Sequence, residues 1–142
     1  MSDDLSPPPG PRPINPAELG APRGYSNGIL APPGSRLLFV AGQVGWDESQ
    51  QLVGEGFVEQ FGRALANVVA VVREAGGEPE HLAQLTLYVT DRREYLAALE
   101  EIGEAYRGIM GRHYPAMALL EVQALLETGA KVEIEGTAAL PS

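Results

Sequence analysis

Arg36 to Gly42 reads Arg-Leu-Leu-Phe-Val-Ala-Gly, an apolar run with no polar residue between its ends. Successive side chains of an extended chain point to opposite faces, so a strand here is apolar on both sides. Each side then needs cover, as in a strand buried between two layers. One layer is visible further along. Between Gly56 and Ala75 the residues Phe57, Phe61, Ala64, Leu65, Val68 and Val72 recur at three- and four-residue spacing. That spacing predicts an amphipathic helix, with Glu59, Gln60, Arg63, Asn67 and Glu74 assigned to its polar side. Gly76-Gly77 closes it, since a glycine takes the left-handed conformation that ends a helix.

The remaining elements follow the same logic. Tyr25 to Leu30 is β-prone, and the turn chemistry of Ala31-Pro-Pro-Gly-Ser35 predicts a hairpin with Arg36 to Gly42. Leu85, Leu87 and Val89 alternate with Thr86, Tyr88 and Thr90, which predicts a strand. Asp91 and Glu94 have capping-box spacing ahead of a second helix carrying Tyr95, Leu96, Leu99, Ile102, Tyr106 and Ile109, ended by Gly108 and Gly111. Strands are predicted for Ala116 to Val122 and Lys131 to Ala139, with a turn at Thr128-Gly129. Two apolar helix faces and five strands imply an α+β fold, one mixed sheet with both helices on one face. The other face would leave an apolar patch in water, which predicts a symmetric homo-oligomer.

Six of the twelve prolines fall within the first sixteen residues, a density that excludes a regular helix or central strand. Residues 1–16 are expected to be an extended tail and residues 17–142 a single domain. The acidic, proline-rich start lacks the basic and apolar regions of a signal peptide, so a cytoplasmic location is expected. Ten basic against nineteen acidic side chains leave a net charge of −9, which disfavours binding to nucleic acid or to an anionic membrane. With no cysteine, thiolate zinc sites, iron–sulfur clusters and thiol nucleophiles are excluded.

Proton-transfer chemistry is left to a few carboxylates. Glu133 and Glu135 share one strand face, where the alternative is a solvated face with cross-strand partners. Glu121 stands among apolar neighbours, a setting expected to bury it partly and raise its pKa. His81 and His113 lack the spacing of a helical zinc pair. Trp46, the single tryptophan, lies in a loop just past Ala41-Gly-Gln43, where it would either cover an apolar ligand or pack on its own subunit.

Several strings fall in one recognisable order: Arg23-Gly-Tyr-Ser26, Ala41-Gly-Gln43, the helix with Gln60 and Asn67, Glu74-Ala-Gly-Gly77, His113-Tyr-Pro-Ala116, Glu121-Val122 and Val132-Glu-Ile-Glu135. From residue 23 to 139 the chain resembles the Rid family of reactive intermediate deaminases, also called YjgF and historically L-PSP endoribonuclease. The resemblance implies a chorismate-mutase-like fold, a homotrimer with its sheets in a central barrel, and small-molecule clefts between subunits. It also implies cofactor-free, metal-free hydrolysis of imines or enamines such as 2-aminoacrylate. Tyr25 matches the family's pocket tyrosine and Glu133 its acid–base glutamate. Met117 occupies the position of the arginine that clamps the substrate carboxylate, Ala41 that of a serine, and Leu119 a position often held by cysteine. These departures imply either a cleft retuned for a less charged or more apolar imine, or a non-catalytic binding protein using the same cleft. Arg112, in the loop before Tyr114-Pro115, is read as a surface charge rather than a replacement for the missing guanidinium.

Overall fold

The computed structural model describes residues 10–142. Its elements are β1 (Arg12–Ile14), β2 (Gly28–Leu30), β3 (Arg36–Val44), α1 (Phe57–Glu74), β4 (Leu82–Val89), α2 (Arg92–Ala97), α3 (Leu99–Met110), β5 (Ala116–Glu121) and β6 (Val132–Leu140). Four strands form one mixed sheet in the order β3-β6-β4-β5, with β4 and β5 parallel and the other pairs antiparallel. The expected α+β architecture is therefore present. Among the described residues no helix is long and apolar enough to cross a membrane.

Alternation along the strands sorts side chains into two layers. Val132, Ile134 and Ala138 of β6 and Leu85, Leu87 and Val89 of β4 are buried in one core with residues of α1 and α3. The helices answer with Phe61, Leu65, Val68 and Val72 of α1 and Ile102, Tyr106 and Met110 of α3. Burying a large apolar side chain of this kind is worth about 1.5–3 kcal/mol. Among the described residues no layer covers the other face of the sheet. Phe39 there is 74% exposed, Leu37 60% and Leu120 45%.

The predicted hairpin does not form. Pro32 and Ser35 close the turn, with Gly34 at φ 77, yet β3 pairs with β6 and β2 pairs with β1. Seven of the nine residues of β3 pair with the last strand, a longer ladder than three-residue β2 could offer. The strand β1 lies inside the segment expected to be an extended tail, whose first nine residues fall outside the described ones. Pro13 is tolerated because this ribbon has only two strands, both of them edges.

Other boundaries also differ. The second helix divides at Ala98 (φ −125, ψ 28) into α2 and α3, and Gly108 lies within α3 while Gly111, at φ 65, caps it. Asp91 does cap α2, through the backbone N–H of Arg93 rather than through a box with Glu94. The hydrogen bond from the Arg93 guanidinium, and after it that backbone bond, hold the Asp91 carboxyl below its usual pKa. The turn at Thr128-Gly129 is present, with Gly129 at φ 88 and the Ala130 N–H donating to the Glu127 carbonyl.

Candidate functional site

The residues singled out from sequence separate into two groups on different faces of the sheet. Glu133 projects from the uncovered face of β6, in register with Tyr88 of β4 and Val44 of β3. The register of β3 against β6 breaks between Val40 and Gln43, and this bulge contains Ala41 and Gly42. Gly42 lies against the glutamate so closely that a Cβ there would stand 2.8 Å from the Glu133 carboxyl carbon. A bare backbone at 42 is thus a condition for the present position of the carboxylate.

Glu135 projects from the same face and accepts a hydrogen bond of 2.7 Å from the Tyr88 hydroxyl. That bond, with some desolvation and the neighbouring charges of Glu135 and Glu133, raises the Tyr88 pKa above that of an ordinary phenol. The cross-strand partner therefore goes to Glu135, and Tyr88 does not spend its proton on Glu133.

The second group lines the helix side. Met117 is in register with buried Leu85, and Leu119 with buried Leu87, so neither shares a face with Glu133. Met117 forms part of the wall of a cavity of about 400 Å³ between β4, β5, α1 and α3. Leu119 packs against the core. Arg23 and Gly24 complete the mouth of this cavity, next to Tyr25, which is 39% exposed. The Arg23-to-Ser26 segment is held in place by Ser26, which bridges Ala116, donates its N–H to the Pro115 carbonyl and its hydroxyl to the Tyr114 carbonyl.

Three expectations are corrected. Glu121 is exposed rather than partly buried, because β5 is an edge strand, and its carboxylate accepts the Arg92 backbone N–H at 2.9 Å. Gln60 is fully buried rather than on a polar face, donating to the carbonyls of Gly54 and Gly129 and accepting from Lys131 N–H. Asn67 and Arg63 do not simply face water; both donate to the Trp46 carbonyl and pin the loop that carries the tryptophan. Both histidines serve local structure, His81 accepting the Glu78 N–H and His113 donating to the Leu82 carbonyl.

Comparison with known proteins identifies the family and supports the fold. The family model described as Endoribonuclease L-PSP matches residues 16–140. A human 2-iminobutanoate/2-iminopropanoate deaminase is 30% identical over 120 residues, covering 84% of this chain and 82% of the relative. The RutC family protein y4sK of Sinorhizobium fredii is 36% identical over 122 residues, covering 85% and 90%. A crystal structure of YyfB from Yersinia pestis, of the conserved Rid family, superposes with a TM-score of 0.81 at 33% identity over 92% of this chain and 99% of that one. The chain belongs to the Rid (endoribonuclease L-PSP) family.

Proposed function

We propose that this protein is a hydrolytic deaminase of a reactive imine or enamine other than 2-aminoacrylate, acting in a cleft between subunits of a homotrimer. The observation that carries this reading is the pairing of Glu133 with the bare backbone of Gly42 on an uncovered sheet face. Relatives named for imine deamination, at about 30% identity, support the reaction class. Tyr25, Met117 and Leu119 lie on the other side of the sheet, so one cleft containing both groups needs a second copy. The exposure of Leu37 and Phe39 favours that assembly, because apolar patches of this kind mark association surfaces.

The reaction asks little of the protein. Water adds to the C=N carbon, giving a carbinolamine; its C–N bond then breaks, and a ketone and ammonia leave. One carboxylate suffices to take a proton from the attacking water and deliver it to the departing nitrogen, a relay worth about 10²- to 10⁴-fold. Glu133 has that role. Met117 supplies apolar surface where an arginine would make charge-assisted hydrogen bonds of about 1.5–3 kcal/mol each, so the substrate is expected to be more apolar than 2-aminoacrylate.

Ammonia release from a panel of freshly generated imines tests the proposal, with turnover expected for members with larger apolar side chains. Absence of turnover across the panel, combined with ligand-dependent thermal stabilisation, would favour the second reading, a binding protein without chemistry. Met117→Arg is expected to confer hydrolysis of 2-aminoacrylate. Recovery should be partial, because Ala41 and Leu119 also differ from the family pattern.

A further inference from the structure

We infer that the helix-side cavity is a binding site for a small monocarboxylate with a flat apolar body, an aryl-alkanoate, whose carboxylate is held by Arg23 and Arg107. The inference goes beyond the proposed chemistry: it shares Met117 with it but needs neither Glu133 nor turnover.

The volume of about 400 Å³ lies within the range of small-molecule pockets. The charge at its edge is one-sided. Arg23 and Arg107 both line the cavity, and among the described residues no carboxylate does. Among the described residues the ion pairs use Arg63, Arg73, Arg93 and Lys131, so neither cavity arginine has an acidic partner. Two cations without counterions at one mouth are notable on a chain of net charge −9.

The position of Arg107 depends on the glycine one turn before it. A Cβ at Gly103 would stand 3.0 Å from an Arg107 guanidinium nitrogen, so the missing side chain lets the guanidinium lie back along α3. A planar guanidinium matches a carboxylate in two parallel hydrogen bonds.

The body of the ligand is specified by the walls. Tyr106 and Tyr114 stack with centroids 5.4 Å apart and planes 6° from parallel, presenting a flat aromatic surface. The Tyr106 hydroxyl already donates to the His113 carbonyl at 2.6 Å, so what it offers the cavity is apolar. Leu85, Leu87 and Met117 extend that surface. A second carboxylate on the ligand would lie against these walls without a partner, which costs heavily. The chemistry therefore favours one charge.

The test uses 3-phenylpropanoate and the intact protein labelled with ¹³C at its methionine methyl groups. The chain has three methionines, so Met117 reports on the cavity with the other two as controls. The Met117 signal is expected to move saturably on titration. The uncharged 3-phenylpropanamide, and the acid with the Arg23→Ala/Arg107→Ala variant, are each expected to bind at least about tenfold more weakly, as loss of a charge-assisted hydrogen bond requires. A stationary Met117 signal overturns the inference, as do equal affinities for acid and amide or undiminished binding by the double variant. Retained binding without imine turnover in the parent protein would sink the deaminase proposal and leave this one standing.

Discussion

Glu133→Gln is expected to lower ammonia release from any imine the protein turns over by about 10²- to 10⁴-fold, with little change in thermal stability. Glutamine keeps the size of the side chain and removes the group that exchanges protons with water and leaving nitrogen. Stability should hold because Tyr88 hydrogen-bonds Glu135, not Glu133. A companion substitution leaves the acid in place but moves it. In Gly42→Ala the new Cβ would start 2.8 Å from the Glu133 carboxyl carbon, so the carboxylate must shift, and turnover should fall while the carboxylate remains chemically intact. Steady-state ammonia assays on both variants, alongside a thermal melt, separate lost chemistry from lost fold. Full turnover in Glu133→Gln would remove this residue from the mechanism.

Gln60→Leu is expected to destabilise the protein by about 3 kcal/mol or more, the sum of buried partners left unpaired at about 1–3 kcal/mol each. Gln60 has no exposed surface and ties three separate segments together: the carbonyls of Gly54 and Gly129 at 2.9 and 3.1 Å, and the Lys131 N–H at 2.8 Å. Leucine fills similar space and answers none of these groups. The surroundings leave little room to relax, since a Cβ on Gly45 would already stand 2.6 Å from the Gln60 carbonyl oxygen. Urea unfolding at fixed protein concentration should show a lower midpoint with an unchanged slope. A loss below about 1 kcal/mol would mean that water takes over the bonds.

Periodic elements were legible because burial imposes their period. The apolar spacing from Phe57 to Val72 marks α1, and the alternation around Leu85 to Val89 marks part of β4. Pairing was less legible. The Pro-Pro-Gly turn suggested a local hairpin, whereas the partner of β3 is β6, about a hundred residues away, and nothing local encodes a ladder of that separation. Polar residues inside the core were the other blind spot. Gln60 follows Glu59 and looks solvent-facing by composition, yet its three partners come from loops whose approach is a tertiary fact.

The candidate site divided along the same line. Glu133 and Glu135 were placed on one face by alternation alone, and they share it. That Met117 and Leu119 face the opposite way follows only from the parallel register of β5 with β4. Gly42 was missed as a determinant, although its place beside Ala41 at the end of a strand hinted at a bulge. Arg107 at the cavity mouth carried no signal, since an arginine in a helix reads as a surface charge until a hollow is found beneath it.

The bare sheet face has a practical corollary for anyone handling the material. Phe39 and Leu37 lie open in a solitary chain, so under the proposed trimer dilution would uncover oily surface to vessel walls, detergents or unrelated proteins. Abundance would then be a property the proposed assembly needs, because a well-stocked pool of copies would keep those side chains occupied with one another.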